Sequence, residues 1–123
     1  MKKKETGNLG ETIAAQHLSN SGYTILQTKW RKRSGEIDII AEQNNTLVFA
    51  EVKTRKSIAF ENGNAFVGKK QRKSILATAN IFLEQYSGKP TSVRFDILNL
   101  IYSGNNFNIH HIEDAYLPGL NEC

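Results

Sequence analysis

The chain contains few of the residues that fix covalent or kinked structure: one cysteine, Cys123, and two prolines in 123 residues. A single thiol at the last position leaves no internal disulfide framework, and we expect a reducing, cytoplasmic setting. No apolar run approaches the roughly 20 residues that cross a bilayer. The basic stretch Met1–Glu5 is followed by no apolar segment of the signal-peptide type. We therefore expect neither membrane association nor an export signal.

What is present is the ordinary composition of a globular domain, with 39% hydrophobic and 23% charged residues. A chain of this length can build one sizeable core but has no room for a second. We expect a single domain over 1–123, with flexible tails at 1–5 and 117–123.

Positive charge is concentrated in the first 73 residues, which carry 14 Lys and Arg against 7 Asp and Glu, whereas residues 74–123 carry 2 against 5. A single basic run is usually a solvated face. Several runs around one acidic group instead favour a polyanion as partner, and DNA is the expected one. The residues expected to contact nucleic acid are Lys29, Arg31, Arg33, Arg55, Lys69, Lys70 and Lys73. Trp30, between two of them, could stack on a base or anchor the core, and we favour the core.

Hydrophobic periodicity predicts seven elements in the order αβββαββ. A helix is predicted from Asn8 to about Ser21, with Asn8 and Glu11 as a capping pair, and a second from Lys69 to Tyr86. The predicted strands cover 23–28, 36–42, 47–53, 93–101 and 107–112, and basic or irregular loops cover 29–35 and 55–68. This order predicts an α/β fold with a mixed central sheet flanked by helices.

Paired asparagines between the second and third predicted strands favour a tight hairpin turn. That turn sets Asp38 opposite Glu51 and Glu36 opposite Lys53, so that all four side chains point to one face. Like charges opposite each other destabilise a sheet, unless one carboxyl keeps its proton or a divalent cation joins them. The pattern therefore predicts a metal-dependent hydrolytic site. The alternative is a solvated hairpin end with a weak Glu36–Lys53 ion pair.

These residues resemble a known nuclease signature. Asp38, a spacer of twelve residues and then Glu51-Val52-Lys53 are similar to the D…E-x-K pattern of the PD-(D/E)xK superfamily. Further blocks resemble the YraN-like family of small bacterial proteins, which are related to archaeal Holliday-junction resolvases. Those blocks are Gly10-Glu11, Gly35-Glu36-Ile37-Asp38, residues 49–55, Lys70 and Arg94-Phe95-Asp96. The resemblance spans roughly residues 7–115 and implies a restriction-endonuclease-like fold.

The resemblance also implies a ligand set. Asp38 and Glu51 are expected to hold Mg²⁺ or Mn²⁺, with the Val52 carbonyl oxygen as a further ligand. Lys53 is expected to orient or deprotonate the attacking water, or to neutralise charge in the transition state. The residues expected to be catalytic are Asp38, Glu51, Lys53 and Glu11.

Three flanking residues have less definite roles. Glu11 would be an outer metal ligand or a water-positioning residue, and a plain capping role is the alternative. Glu36 stands near where the superfamily usually has proline, and we expect a secondary metal ligand or a partner of Lys53. Lys70 would bind phosphate at the N-terminus of its helix. Related resolvases further imply a homodimer.

Together these features predict a metal-dependent endonuclease that cleaves phosphodiester bonds in DNA, with branched or junction DNA as a candidate substrate. The alternative is a catalytically silent nucleic-acid-binding module with the same fold. A small-molecule phosphodiesterase is less favoured, because the basic surface is wider than one phosphate requires. The segment Gly63–Lys70 is similar to a P-loop but has Lys70 where Ser or Thr should bind Mg²⁺.

Overall fold

The polypeptide follows the predicted order of elements. A computed structural model describes residues 3–56 and 67–116, and in these ranges it contains two helices and five strands. The helices are α1 (Lys3–Asn20) and α2 (Lys69–Gln85), and the strands are β1 (Thr24–Lys32), β2 (Gly35–Gln43), β3 (Thr46–Lys56), β4 (Ser92–Ser103) and β5 (Asn106–Ile112). The predicted α/β fold with order αβββαββ is confirmed, and it is consistent with a restriction-endonuclease-like fold. Neither helix in this part of the chain has the length and apolar character needed to cross a membrane.

The strands form one mixed sheet in the order β1-β2-β3-β4-β5. Neighbouring strands are antiparallel except for β3 and β4, which are parallel. A parallel pair needs a long connection that returns the chain to the same end of the sheet, and α2 lies in that connection. The central strand β3 is therefore paired on both sides, which fits the fully buried run from Leu47 to Ala50.

The predicted hairpin is confirmed, and so is its register from the turn as far as Ile39 and Ala50. Asn44 and Asn45 have φ angles of 52° and 67°, the positive values that a tight hairpin turn requires and that asparagine tolerates. The pairing runs from Gln43 opposite Thr46 to Ile39 opposite Ala50. Local turn chemistry thus fixed which residues of the two strands face each other.

One helix covers each face of the sheet. The core cluster beside α1 includes Ala14, Leu18, Ile39, Val48 and Leu98, and the cluster beside α2 includes Ile37, Phe49, Ile75, Phe82 and Ile97. Consecutive residues of β3 alternate between the two, since Val48 faces α1 and Phe49 faces α2. The predicted covering of the sheet on both faces is therefore confirmed.

The predicted start of α1 is wrong. The helix begins at Lys3 rather than at Asn8, because no proline interrupts this segment and buried Thr6 anchors its first turns. Asn8 is an interior residue whose Oδ1 accepts a hydrogen bond of 2.8 Å from Lys29 Nζ. The capping role considered for Glu11 is consequently wrong as well.

The basic loop predicted over 29–35 is mostly strand. β1 continues to Lys32 and pairs with the beginning of β2, so that a two-residue turn joins them. The backbone is irregular at Lys29, which has a φ of 50°. Trp30 packs edge-on against Phe82 with ring centroids 5.2 Å apart, so the core role favoured for it is confirmed.

Other predictions fall partly outside the described residues. Of the loop predicted over 55–68, the first two residues belong to β3, and 57–66 lie outside the described ranges, as does the tail at 117–123. The first half of the P-loop-like segment, 63–66, lies outside them too.

Candidate metal centre between strands β2 and β3

Strands β2 and β3 separate just beyond the confirmed part of their hairpin. Their pairing ends at Ile39 and Ala50, although β2 stays paired with β1 back to Gly35 and β3 stays paired with β4 as far as Lys56. The predicted extension of the ladder, with Glu36 opposite Lys53, is therefore wrong. The separation leaves an opening in the sheet, and the candidate residues surround it.

Asp38 lies at this opening and is only 8% exposed. Its Oδ2 accepts a hydrogen bond of 2.8 Å from the backbone N–H of Val52, which bridges the two separating strands. Burial, and then the nearby charge of Glu51, raise the pKa of Asp38 to about 8. Without a cation, Asp38 therefore keeps its proton at neutral pH for most of the time. The expected role of the Val52 carbonyl stays a prediction.

Glu51 and Lys53 of β3 lie together as predicted, and a third residue joins them. Lys53 Nζ is 3.8 Å from Glu51 Oε2. Gln71 of α2 donates a 2.7 Å hydrogen bond to Glu51 Oε2, and its Oε1 accepts one of 3.4 Å from Lys53. Burial raises the pKa of Glu51, while Lys53 and then Gln71 oppose that rise. Lys53 thus pairs with Glu51 and Gln71, and its predicted partnership with Glu36 is wrong.

Sequence reasoning missed Gln71. It is the third residue of α2 and lies among four basic residues, three of which were predicted to contact nucleic acid. An amide in such a run carries no distinctive pattern. Its role depends on how α2 packs against the sheet, which a single sequence does not reveal.

A second acidic group adjoins the first through Asp38. Carboxylate oxygens of Glu11, Glu36 and Asp38 all lie within 4.8 Å of one another. Glu11 comes from the interior of α1 and Glu36 from the beginning of β2. The structure therefore brings Glu11 and Glu36 to Asp38, as expected for flanking metal ligands.

Two basic residues of β1 neutralise part of this group. Lys29 Nζ lies 2.6 Å from Glu11 Oε1, and this contact raises the pKa of Lys29. Arg31 donates from Nη2 and Nε to Glu36 Oε1, at 2.6 and 3.0 Å. Both residues were predicted to contact nucleic acid, whereas here they contact carboxylates. Contact of Lys29 and Arg31 with nucleic acid therefore stays a prediction, and it requires these side chains to leave Glu11 and Glu36 when substrate or metal binds.

The other predicted nucleic-acid ligands surround the centre more loosely. Arg33 is exposed at the β1–β2 turn, and Lys69, Lys70 and Lys73 are exposed in the first turns of α2. No side chain caps this helix at Gly68, and its first turn contains no acidic residue, an arrangement that favours anions. Arg55 lines a cavity that also touches Glu11 and Val52. Binding of nucleic acid by these residues stays a prediction.

The donors available at the opening suit a hard divalent cation. In the described ranges, the group of three or more candidate ligands consists of Glu11, Glu36 and Asp38, with no histidine or cysteine. Glu11 Oε1 is buried and, among described residues, receives no well-directed hydrogen bond despite the nearby Lys29. A group of three carboxyl ligands without nitrogen or sulfur fits Mg²⁺ or Mn²⁺, which prefer oxygen ligands.

Comparison with known proteins finds relatives that match most of the chain. Residues 10–100 match the profile described as "Uncharacterised protein family UPF0102". A "UPF0102 protein" of Flavobacterium johnsoniae is 37% identical over 115 residues, covering 91% of this chain and 94% of its own. One of Phocaeicola vulgatus is 40% identical over 114 residues, covering 93% of each chain. One of Persephonella marina is 40% identical over 110 residues, covering 89% and 91%. The matched span contains every residue of the candidate centre, from Glu11 to Gln71.

Proposed function

The chain belongs to the family UPF0102, the YraN family, and we propose that it is a metal-dependent endonuclease that hydrolyses phosphodiester bonds in DNA. The carrying observation is the buried carboxyl of Asp38 and the half-buried carboxylate of Glu51, beside the amine of Lys53 at an opening in the sheet. Burial raises the pKa values of both carboxyls, and the charge of Glu51 raises that of Asp38 further. Carboxyls with raised pKa values are typical of sites that await a cation.

The metal would be held by oxygen atoms of this chain. Asp38 and Glu51 are the principal ligands in the proposal, and Glu11 and Glu36 lie close enough to Asp38 to complete the coordination directly or through water. When bound, Mg²⁺ or Mn²⁺ supplies Lewis-acid stabilisation of the negative charge that develops on the phosphate.

Lys53 has the position that hydrolysis requires of a positively charged donor. Its side chain is 24% exposed, so its amine can meet substrate, while Glu51 and Gln71 hold it in place. Lys53 would orient the attacking water by a hydrogen bond and offset charge on the phosphate oxygens. Water then attacks phosphorus, the bond to the leaving oxygen breaks, and that oxygen takes up a proton.

Positive charge around the opening supports DNA as the substrate. Lys69 and Lys70 lie exposed at the uncapped N-terminus of α2, and Gln71 in the next position reaches the centre. A phosphate chain that follows these residues would pass the carboxylates. Junction DNA and a homodimer that makes two symmetric cuts belong to the same proposal, and light scattering of the DNA-bound chain tests the dimer.

A catalytically silent DNA-binding module is the second candidate, and one observation favours it. Three of the four carboxylates already have a cationic partner, since Lys29, Arg31 and Lys53 lie within 4.0 Å of Glu11, Glu36 and Glu51 respectively. Only Asp38 lacks one among the described residues. An internally compensated cluster could survive in a protein that no longer binds metal.

Cleavage assays decide between the two candidates. Labelled four-way junction, flap, duplex and single-stranded DNA are incubated with the protein in Mg²⁺, in Mn²⁺ and in EDTA. We expect metal-dependent cleavage that Asp38→Ala and Lys53→Ala each lower by at least about a hundredfold.

Exposed residues of the same types supply matched controls. Glu84→Gln and Lys89→Gln remove one charge of each sign from exposed positions, and both should cleave like the unmodified chain. Cleavage that persists in EDTA or in the Asp38 variant excludes this centre as its source. Salt-sensitive DNA binding without calorimetric Mn²⁺ binding would favour the silent module.

A further inference from the structure

A groove leads away from the candidate metal centre along the N-terminal half of α1. It consists of two adjoining cavities of about 500 and 430 Å³, whose linings share Thr6, Lys56 and Tyr102. The first cavity also touches Glu11 and Val52, so the groove is continuous with the centre. Each volume lies within the roughly 300–1,000 Å³ that is usual for ligand sites.

The far part of this groove combines apolar surface with positive charge. Tyr102 and Phe107 face each other across β4 and β5 with ring centroids 5.8 Å apart. Leu9 of α1 is 38% exposed and lines the same cavity. Lys56, which is exposed and lines both cavities, adds a positive charge here, and Arg55 adds another in the first cavity. Aromatic faces beside basic side chains are how proteins hold unpaired bases together with their phosphates.

Negative charge lies at only one end of the groove. Among the described residues that line the two cavities, Glu11 is the only carboxylate, and it lies at the end beside the metal centre. Tyr102 and Lys56 lie where the two cavities meet, and Phe107 lines only the second cavity. A strand whose scissile phosphate reaches the centre would therefore leave it through increasingly favourable surroundings.

We propose that this groove binds a single-stranded DNA segment next to the scissile phosphate, with a base stacked on Tyr102 and a phosphate at Lys56. Bases inside a duplex do not expose their faces to an aromatic ring, so the segment must be unpaired. The inference rests on the proposed nuclease function and narrows its substrate to DNA with a single-stranded arm. A cross-strand aromatic pair also stabilises a hairpin, but that role alone does not require exposed Leu9 and Lys56 beside it.

Fluorescence anisotropy with a short labelled oligothymidylate tests the groove without requiring cleavage. The full chain is titrated in EDTA, and Tyr102→Leu is compared with Tyr102→Phe. Losing the ring should weaken binding roughly tenfold, while the phenylalanine variant should stay within about twofold. Lys56→Gln should weaken binding and lower the salt dependence by about 0.7 in the log–log slope.

The matched control is Lys89→Gln. It removes the same charge from an exposed position at the opposite end of the sheet, close to Thr91, whose N–H bonds to Asn45 in the β2–β3 turn. It should leave the salt dependence unchanged. Thermal melting checks that each variant is folded, and Lys56→Gln keeps the test decisive if Tyr102→Leu is unstable.

The outcomes separate this inference from the nuclease proposal. Tyr102-dependent and Lys56-dependent binding by a chain that never cleaves DNA would support the groove and overturn the nuclease. Metal-dependent cleavage by a chain whose oligothymidylate affinity is unchanged in both variants would overturn the groove and leave the nuclease standing.

Discussion

Asp38 and Asp96 are two buried aspartates of the same sheet, and their pKa values are shifted in opposite directions. Asp96 is fully buried, yet Arg94 donates to both of its oxygens at 2.9 Å, His111 Nε2 lies 2.7 Å away and the N–H of Asp114 donates at 2.9 Å. Burial alone would raise its pKa, but the contacts with His111 and then Arg94 hold the pKa below its usual value. Asp38 has one backbone donor and a carboxylate neighbour, so its pKa rises to about 8.

The difference separates a carboxylate that stabilises the fold from a carboxyl that is free to bind a ligand. Asp96 has several partners, and through them it joins β4 to β5 and to Asp114 beyond β5. Its partner Arg94 also donates a 2.7 Å hydrogen bond to the hydroxyl of Tyr23, just before β1. Nothing comparable compensates Asp38 among the described residues. A protein keeps an uncompensated buried carboxyl where a ligand completes it, so the contrast itself locates the functional site.

Asp96→Asn should have the largest effect on folding. Among the described residues, the substitution leaves the Arg94 guanidinium with only the exposed Glu113 carboxylate, 3.6 Å away, as an anionic partner. Breaking a buried ion pair from one side costs about 3–5 kcal/mol. Urea denaturation should show this loss in the free energy of unfolding.

Asp38→Asn is the matched control, because it makes the same chemical change in the same sheet. It removes a carboxyl that must take up a proton to fold at neutral pH, so the free energy of unfolding should not fall, and it should rise relative to the unmodified chain as pH increases above the ordinary pKa of 3.8. Equal losses in the two variants would contradict the distinction drawn here.

Adding Mn²⁺ should stabilise the protein only through the Asp38 centre. A ligand at 100 times its dissociation constant raises the free energy of unfolding by about 2.7 kcal/mol. We expect this rise in the unmodified chain and in Glu84→Gln, and its loss in Asp38→Asn, as measured by thermal melting with and without the metal. A smaller reduction in Glu36→Gln would mark Glu36 as a secondary ligand. An undiminished rise in Asp38→Asn would place the metal elsewhere.

The contrast also shows how far sequence reasoning reaches. The hairpin register followed from two asparagines and strand alternation, which are local, and it correctly placed Asp38 and Glu51 on neighbouring strands. The separation of these strands depends on β1 and β4 holding them apart, so the Glu36–Lys53 pair could not be excluded in advance.

Contacts between distant elements were the least predictable. Asn8 and Glu11 have the spacing of a capping pair, but the helix starts five residues earlier and turns Glu11 toward β1 and β2. The resemblance to a nuclease family implied that Glu11 belongs to the site, whereas spacing alone implied a cap. Neither the spacing of residues nor the family resemblance indicated that Gln71 belongs to the site.

Stability should respond to pH in opposite directions at the two aspartates. The folded-state pKa of Asp38 is raised from an ordinary 3.8 to about 8, so the folded chain binds an extra proton between these values and loses stability as pH rises through them. The slope reaches about 1.4 kcal/mol per pH unit for one full proton. Asp96, whose pKa is lowered, stabilises the fold at higher pH and loses that contribution as pH falls through its folded-state pKa.

Urea midpoints in EDTA, measured in steps from about pH 5 to pH 8, report the Asp38 contribution, because that of Asp96 changes only below its ordinary pKa of 3.8. Asp38→Asn should flatten the decline over this range. A decline that persists unchanged in that variant would assign it to another group.

The smallest effect is expected at Gln71, which contributes two hydrogen bonds to the metal centre, whereas Asp96 has ionic partners as well as hydrogen bonds. Its amide donates to Glu51 and accepts from Lys53, so it fixes the carboxylate and the amine at a set separation without neutralising either. Gln71→Ala should lower the kcat of cleavage by roughly fivefold, since one net hydrogen bond contributes about 1 kcal/mol, while KM for DNA stays unchanged because the substrate contacts remain. Gln85→Ala, an exposed glutamine at the end of the same helix, is the matched control and should leave both constants unaltered. A fall in the free energy of unfolding with kcat unchanged would show that Gln71, like Asp96, serves the fold rather than the site.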